Sequence, residues 1–221
     1  MSDVEALERL LSDRWSCRGF LDEQVPRETI DRLLTIAGRT PSWCNTQPWH
    51  LTITSGEETK KLAEALLSSF DGSGSDFDFP ATYAGVFQER RRESGWQLYE
   101  AVGVAKGDRD ASAKEMLKNF GFFGAPHAAI LTTEADLGVY GAVDCGLYVD
   151  SFLLAAQALG LGAIAQAALA ARAPFLREWF DIPDTRKIVC GISFGFPDPD
   201  HATATYRTSR APIEDTATFV G

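Results

Sequence analysis

The chain has 221 residues, 45% of them hydrophobic, a net charge of −10 and four cysteines. That length and apolar share suffice to bury one core, so a single domain over residues 1–221 is expected. The acidic balance opposes the electrostatics that nucleic acid or an anionic membrane surface needs, and neither is expected as a partner.

The N-terminus, MSDVEALERLLSDR, is a charged amphipathic start without the apolar run of a signal peptide. It points to a cytoplasmic protein with reduced cysteines. Helical patterns occur at 3–12, 27–38, 57–69, 83–105, 111–119, 139–159 and 173–180. In the second, Pro26 marks the entry and Ile30, Leu33, Leu34 and Ala37 share a face. Strand patterns fall at 49–54, 128–133, 163–168 and 188–194, and FDGSGSDFDFP at 70–80 reads as a loop. Residues 151–171 carry no charge over a length that could span a bilayer. Their glutamines, glycines and alanines weaken insertion, and the run reads as a buried helix followed by a buried strand. The class is α+β, with helices in excess. Cys17, Cys44, Cys145 and Cys190 form no CxxC and His50, His127 and His201 are scattered, so no metal-ligand spacing is present.

Two motifs of well-known enzymes occur in the wrong context. Residues 160–165, GLGAIA, match G-x-G-x-x-A, but that fingerprint must leave a strand and open a helix. Here a helix runs in and a strand runs out, so Gly160 or Gly162 reads as a helix C-terminal glycine. Residues 191–195, GISFG, match the nucleophile elbow of serine hydrolases, which needs a strand-to-helix turn. The next residues, FPDPDH, offer no helix to seat the serine, and Ser193 reads as part of a core strand whose glycines permit close approach.

Arg14-Trp15-Ser16-Cys17-Arg18 is the more informative stretch. In a helix the two arginines would share a face and Ser16 would not. In an extended chain Arg14, Ser16 and Arg18 project to one side while Trp15 and Cys17 face the core. The extended form gathers two guanidiniums and a hydroxyl, which suit a phosphate or the polar rim of a nucleotide-like cofactor. Arg207 and Arg210 in YRTSRAP form a second basic pair. Either pair alone reads more simply as solvated surface charge.

Taken together, R-x-S-x-R at 14–18, P-S-x-x-N-x-Q-P-W at 41–49, a long central helix ending ALGLGA, and R-x-x-R-x-P at 207–212 resemble the FMN-dependent nitroreductase family in order and spacing. The resemblance covers nearly the whole chain. NFGFFGAPH, GVYGAVDCG, AIAQAAL and IVCGISFGFPDPDH are most similar to the branch that includes nitrobenzoate reductases. It implies a central mixed sheet flanked by helices, an intertwined homodimer, FMN as cofactor and NAD(P)H as reductant. Carried over to this sequence, it implies that Arg14, Ser16, Arg18 and Arg210, with Arg207 less directly, bind FMN. Pro41, Ser42 and Trp43 would reach the flavin held by the partner subunit, with Asn45 and Gln47 fixing the loop or the flavin edge. Ala165, Gln166 and Ala167 match the strand beside the reactive edge of the flavin, and Trp43 and Gln166 would meet substrate. Trp49, which precedes a strand, reads as core, and Asp144 as a hydrogen-bonded buried acid. HATATYRTSR departs from the family by carrying small residues in place of an asparagine, which leaves the local phosphate contacts open.

The implied reaction passes hydride from NAD(P)H through flavin N5 to a small nitroaromatic acceptor, the cofactor carrying the chemistry without a side-chain nucleophile. Quinone, enone or flavin reduction and reductive dehalogenation are alternatives on the same fold. A flavin-binding or flavin-cleaving module without nitroreductase turnover and a serine hydrolase are alternatives of other classes.

Overall fold

The computed structural model describes residues 1–69 and 74–221, so residues 70–73 of the expected loop lie outside the described residues. Ser2 and Glu5 close a capping box: the Glu5 carboxylate accepts from the Ser2 N–H at 2.7 Å, and the Ser2 hydroxyl accepts from the Glu5 N–H at 3.3 Å. They start α1 (Asp3–Asp13), which is followed by α2 (Arg27–Ala37), β1 (His50–Ser55), α3 (Glu57–Ser68), α4 (Gly85–Ala101) and α5 (Arg109–Leu117). The remaining elements are β2 (His127–Glu134), α6 (Gly138–Ala158), β3 (Gly162–Gln166), α7 (Ala173–Phe180) and β4 (Arg186–Gly195). The fold is α+β, as the patterning predicts.

The four strands lie in the order β1-β2-β4-β3, and every neighbouring pair is antiparallel. The expected mixed sheet is therefore antiparallel in its named strands. Among the described residues, parallel pairing is confined to the isolated bridges Ser16–Ala163 and Gly74–Arg172.

β2 is buried on both faces because each of its two side-chain rows meets its own apolar layer. Ala129 and Leu131 join α2 and α6 residues such as Leu33, Ala37, Cys145 and Phe152. Ala128 and Ile130 join Leu62, Leu66, Leu169 and Leu176 on the other side. In β4, Cys190, Ile192 and Phe194 belong to the first layer and Ile188 to the second. Strict alternation would put Ile188 and Cys190 on one face. A register shift between Leu131 and Thr132 pairs them with Cys190 and Ile188, inserts Val189 and reverses the alternation. Phe152 is fully buried, its ring edge-on to Phe194 at 5.5 Å. Phe152→Ala is expected to cost about 3–5 kcal/mol of unfolding free energy, measured by denaturant titration.

Two predicted elements are shorter than their patterns. α4 ends at Ala101, where the Val102 amide bonds back to the Leu98 carbonyl and Gly103 takes φ 72°. β3 ends at Gln166, and Ala167–Ala171 turns as a 3-10 helix. The uncharged run 151–171 thus divides into the end of α6, β3 and that turn. The division falls at Gly160, with φ 75°, where the Gly160 amide donates to Gln157 O and the Leu161 amide to Ala156 O. This Schellman closure is the role expected of a C-terminal glycine, and it confirms helix-in, strand-out. α6 is long and apolar enough to cross a membrane by length and composition alone. One of its faces packs on α2 and the sheet, burying Cys145, Tyr148, Phe152 and Ala156. In the described part of the 70–80 loop, Asp76 binds Arg177 at 2.7 Å and accepts from the Ile188 amide at 2.7 Å.

His127 anchors the start of β2. Its Nε2 accepts the Val25 amide at 3.0 Å and its Nδ1 lies 2.8 Å from the Ser55 hydroxyl. An amide can only donate, so the ring is neutral with its proton on Nδ1. Burial lowers its pKa below the ordinary 6.5. The unfolded chain therefore takes up a proton near pH 6.5 that the folded chain resists, and the stability due to neutral His127 is lost as pH falls below that value. The unfolding midpoint should drop between about pH 7.5 and 5.5, with a shallower pH slope in His127→Gln.

Candidate active site

The segment after α1 leaves the helix in an extended conformation, Arg14 having φ −62° and ψ 135°. It runs along the edge strand β3: Ser16 bridges Ala163, and the Cys17 amide donates to the Ala163 carbonyl at 3.3 Å. Cys17 is the residue that docks it. Its buried thiol lies over Gly162, where an added Cβ would stand 2.7 Å from Sγ, and donates to the Gly19 carbonyl at 3.1 Å. Burial pushes this thiol up to about 11, which makes it packing rather than a nucleophile. With Cys17 turned inward, Arg14, Ser16 and Arg18 turn outward, as the extended reading requires. Trp15 does not enter the core as expected. It is half-buried, with the Arg207 guanidinium 4.5 Å from its ring centre.

Arg14, Trp15, Ser16 and Arg18 line a cavity of about 1090 Å³, together with Arg91, Arg92, Trp96 and Tyr99 of α4, Asp150 of α6, and Tyr206, Arg207 and Arg210 of the tail. Among the described residues six arginines thus face one carboxylate, in a chain whose net charge is −10. Arg18 is held by a 3.2 Å bond to the Ser16 carbonyl and by the Phe123 ring at 5.7 Å, and desolvation lowers its pKa. Arg207 is committed largely to structure: Nε donates to Asp13 O at 2.9 Å, and Nη1 donates to Ala204 O and Tyr206 O. It ties the tail to the end of α1. Arg210 braces its own turn through Thr208 and Ser209 while still lining the cavity.

The loop 41–47 lies elsewhere. The Trp43 amide donates to the buried Asp144 carboxylate at 3.1 Å, and the Trp43 ring meets Tyr140 at 4.7 Å with most of its surface exposed. Cys44, Asn45 and Gln47 all have positive φ, and the Ser42 hydroxyl accepts from the Gln47 amide at 2.9 Å. Gln47 Nε2 also donates to the Asn45 carbonyl at 3.3 Å. None of Pro41, Ser42, Trp43, Asn45 or Gln47 lines the cavity within the one chain. Trp49 stacks on Tyr148 at 4.9 Å and is half-buried, packed against the core rather than within it.

At the end of β3, Ala165 and Ala167 are exposed while Gln166 is buried. Gln166 accepts from the Ser193 hydroxyl and donates to the Asn119 carbonyl at 2.8 Å. Its side chain is turned to the opposite side from Ala165 and Ala167 and pins Asn119. Its neighbour Ser193 is fully buried within β4, without a strand-to-helix turn, which removes the basis for a serine hydrolase. Sequence reasoning missed Arg91, Arg92, Trp96 and Tyr99. The available signal was RRRESGWQLY, bases beside aromatics on a helix that buries none of its residues.

The cavity fits FMN by size and by chemistry. It offers guanidiniums and the Ser16 hydroxyl for a phosphate, and Trp15, Trp96, Tyr99 and Tyr206 as aromatic walls for a flat ring. Arg14, Ser16, Arg18 and Arg210 line this cavity and could hold such a group.

Comparison with known proteins gives the family of this chain. A 4-nitrobenzoate reductase of Nocardioides sp. (strain LMS-CY) is 35% identical over 224 residues, spanning 98% of this chain and 91% of that protein. The crystal structure of the FMN-dependent nitroreductase NfnB from Mycobacterium smegmatis in complex with NADPH superimposes with a TM-score of 0.94 at 34% identity, covering both chains completely. An FMN- and NADPH-dependent nitroreductase NfnB from Sphigopyxis sp. strain HMH does so with a TM-score of 0.92 at 26% identity, again over both full chains. The model of the Nitroreductase family matches residues 11–196, and on that match and the near full-length identity the chain belongs to this family.

Proposed function

We propose that this chain is an FMN-dependent oxidoreductase that uses NAD(P)H to reduce nitroaromatic compounds of the nitrobenzoate type. The observation that carries the proposal is the cavity in which the arginines and Ser16 of three separate segments converge on aromatic walls. Bound FMN would supply two-electron transfer from a reduced nicotinamide to the aromatic acceptor, by way of N5. The chain's own residues bind and orient. Arg14, Ser16 and Arg210 supply charge and a hydroxyl for the phosphate and ribityl end, Arg18 a charge partly shielded from water, and Trp15, Trp96, Tyr99 and Tyr206 a surface that excludes water from the ring.

The active form on this reading is a homodimer of one nitroreductase-like unit per chain, located in the cytoplasm. Val139, Tyr140, Val143 and Leu147 form an exposed apolar stripe on α6, and Val4, Leu7 and Leu11 another on α1, which packs against α6. Adjoining exposed apolar stripes of this kind suit a self-complementary interface. Trp43 rests on Tyr140 within this stripe, so pairing the stripes would carry the 41–47 loop into the partner and bring Pro41, Ser42 and Trp43 toward its cavity. Ala165 and Ala167, exposed at the sheet edge, complete the proposed flavin-facing set.

The purified protein should be yellow, release about one FMN per chain in acid, and lose its colour on anaerobic NADPH. A nitroaromatic should restore the colour, and both substrates should give parallel double-reciprocal lines because they use one site in turn. A colourless protein that takes up no added FMN would sink the proposal, and intersecting lines would count against the shared site.

A further inference from the structure

Resting on that reading, the cavity holds more positive charge than a single FMN uses. A phosphate monoester carries about two negative charges at neutral pH. Arg14, Arg18 and Arg210 already match it, and Arg207 is engaged with Asp13, Ala204, Tyr206 and Trp15. Arg91 and Arg92 remain. We propose that these two arginines are the specificity-determining residues for the acceptor, binding a carboxylate on its aromatic ring.

Their setting is that of a binding pair rather than of structural ions. Arg90, the preceding residue, faces away and pairs with Asp215 at 3.7 Å. Arg91 and Arg92 instead line the cavity, on the helical face continued by Gly95, Trp96, Leu98 and Tyr99. The Arg91 guanidinium lies 5.1 Å from the Tyr83 ring centre, a contact that orients it without neutralising it. Among the described residues Arg92 makes no hydrogen bond or ion pair. Among the described residues Asp150 is the only carboxylate in the lining, and it is not paired with either. α4 buries none of its residues, so neither arginine is there to hold the core. One turn on, Trp96 and Tyr99 offer aromatic surface beside the two charges. Adjacent guanidinium and aromatic groups select an anionic ring. A carboxylate accepts paired guanidinium bonds in a fixed plane, which a neutral amide of the same shape cannot do.

The test compares 4-nitrobenzoate with 4-nitrobenzamide, its uncharged isostere, in FMN-loaded wild-type protein and Arg91→Ala/Arg92→Ala. The ratio of the two KM values should shift against nitrobenzoate by roughly tenfold or more, the loss expected of a charge-assisted pair. Calorimetric titration with benzoate, which cannot be reduced, should show a weakening of similar size. An equal change for acid and amide, or a rise in KM confined to NADPH, would overturn the assignment. So would unchanged benzoate binding, which would leave the two arginines as solvated helix charge. The benzoate titration needs no turnover, so it decides the arginines even if a wild-type preparation that NADPH does not bleach has already ended the reductase reading.

Discussion

Co-expression of two inactive variants should restore about a quarter of the wild-type sites. One variant, Arg18→Ala/Arg210→Ala, lacks the cofactor half of each site. The other, with Pro41, Ser42 and Trp43 all replaced by glycine, lacks the half proposed to come from the partner. In either homodimer every site is missing one contribution, so activity should fall to background. In a mixed dimer one site carries both lesions and the other carries none. Random pairing makes about half the dimers mixed, which sets the expected fraction. The structure motivates the experiment in a specific way: the loop is rigidly built, through Asp144, Ser42 and Tyr140, yet touches nothing in its own chain's cavity. On the proposed dimer, a loop fixed in this way beside an exposed apolar stripe would serve the partner's cavity. Dimers verified as mixed that recover no activity would show that the loop does not cross, and that its aromatic and polar residues serve the turn alone.

FMN affinity should fall about ten- to a hundredfold in Arg18→Ala and in Arg210→Ala taken singly, corresponding to about 1.5–3 kcal/mol for a charge-assisted contact. The two should differ in side effects. Arg18 is half-buried against Phe123 and desolvation already lowers its pKa, so its charge acts where water screens it least. Arg210 is exposed, its effect should weaken with added salt, and the folded chain should be unchanged without it. Flavin fluorescence titration at two ionic strengths measures both. Equal affinity in the variants and the wild type would return these residues to ordinary surface charge.

Much of the local structure was legible because its causes are local. The face of α2 made by Ile30, Leu33, Leu34 and Ala37 follows from a period of 3.6 residues, and the closure at Gly160 from hydrogen bonds spanning five residues. The extended form of Arg14–Arg18 followed from what its alternate side chains would gather, and Cys17 packed on Gly162 is its physical cause. The same locality exposed the two misleading motifs, since each needs a strand-to-helix turn that the neighbouring residues do not form.

Tertiary structure alone decided which residues meet. The tail reaches the end of α1 through Arg207 and Asp13, 194 positions apart, and no periodicity carries information over that distance. The direction of Gln166 depended on a hydroxyl donor at Ser193 in a different strand, and the reversal of faces in β4 on a bulge at Val189 that hydropathy does not mark. Arg91 and Arg92 were invisible for the opposite reason: α4 has no apolar stripe, so its pattern could say that it was a helix but not which way it faced. By itself the sequence determined the secondary elements, the class and the family likeness, because these rest on near neighbours and on ordered motifs. The convergence of six arginines on one cavity is a property of packing, which brings distant segments together and sums their charge where no single segment announces it.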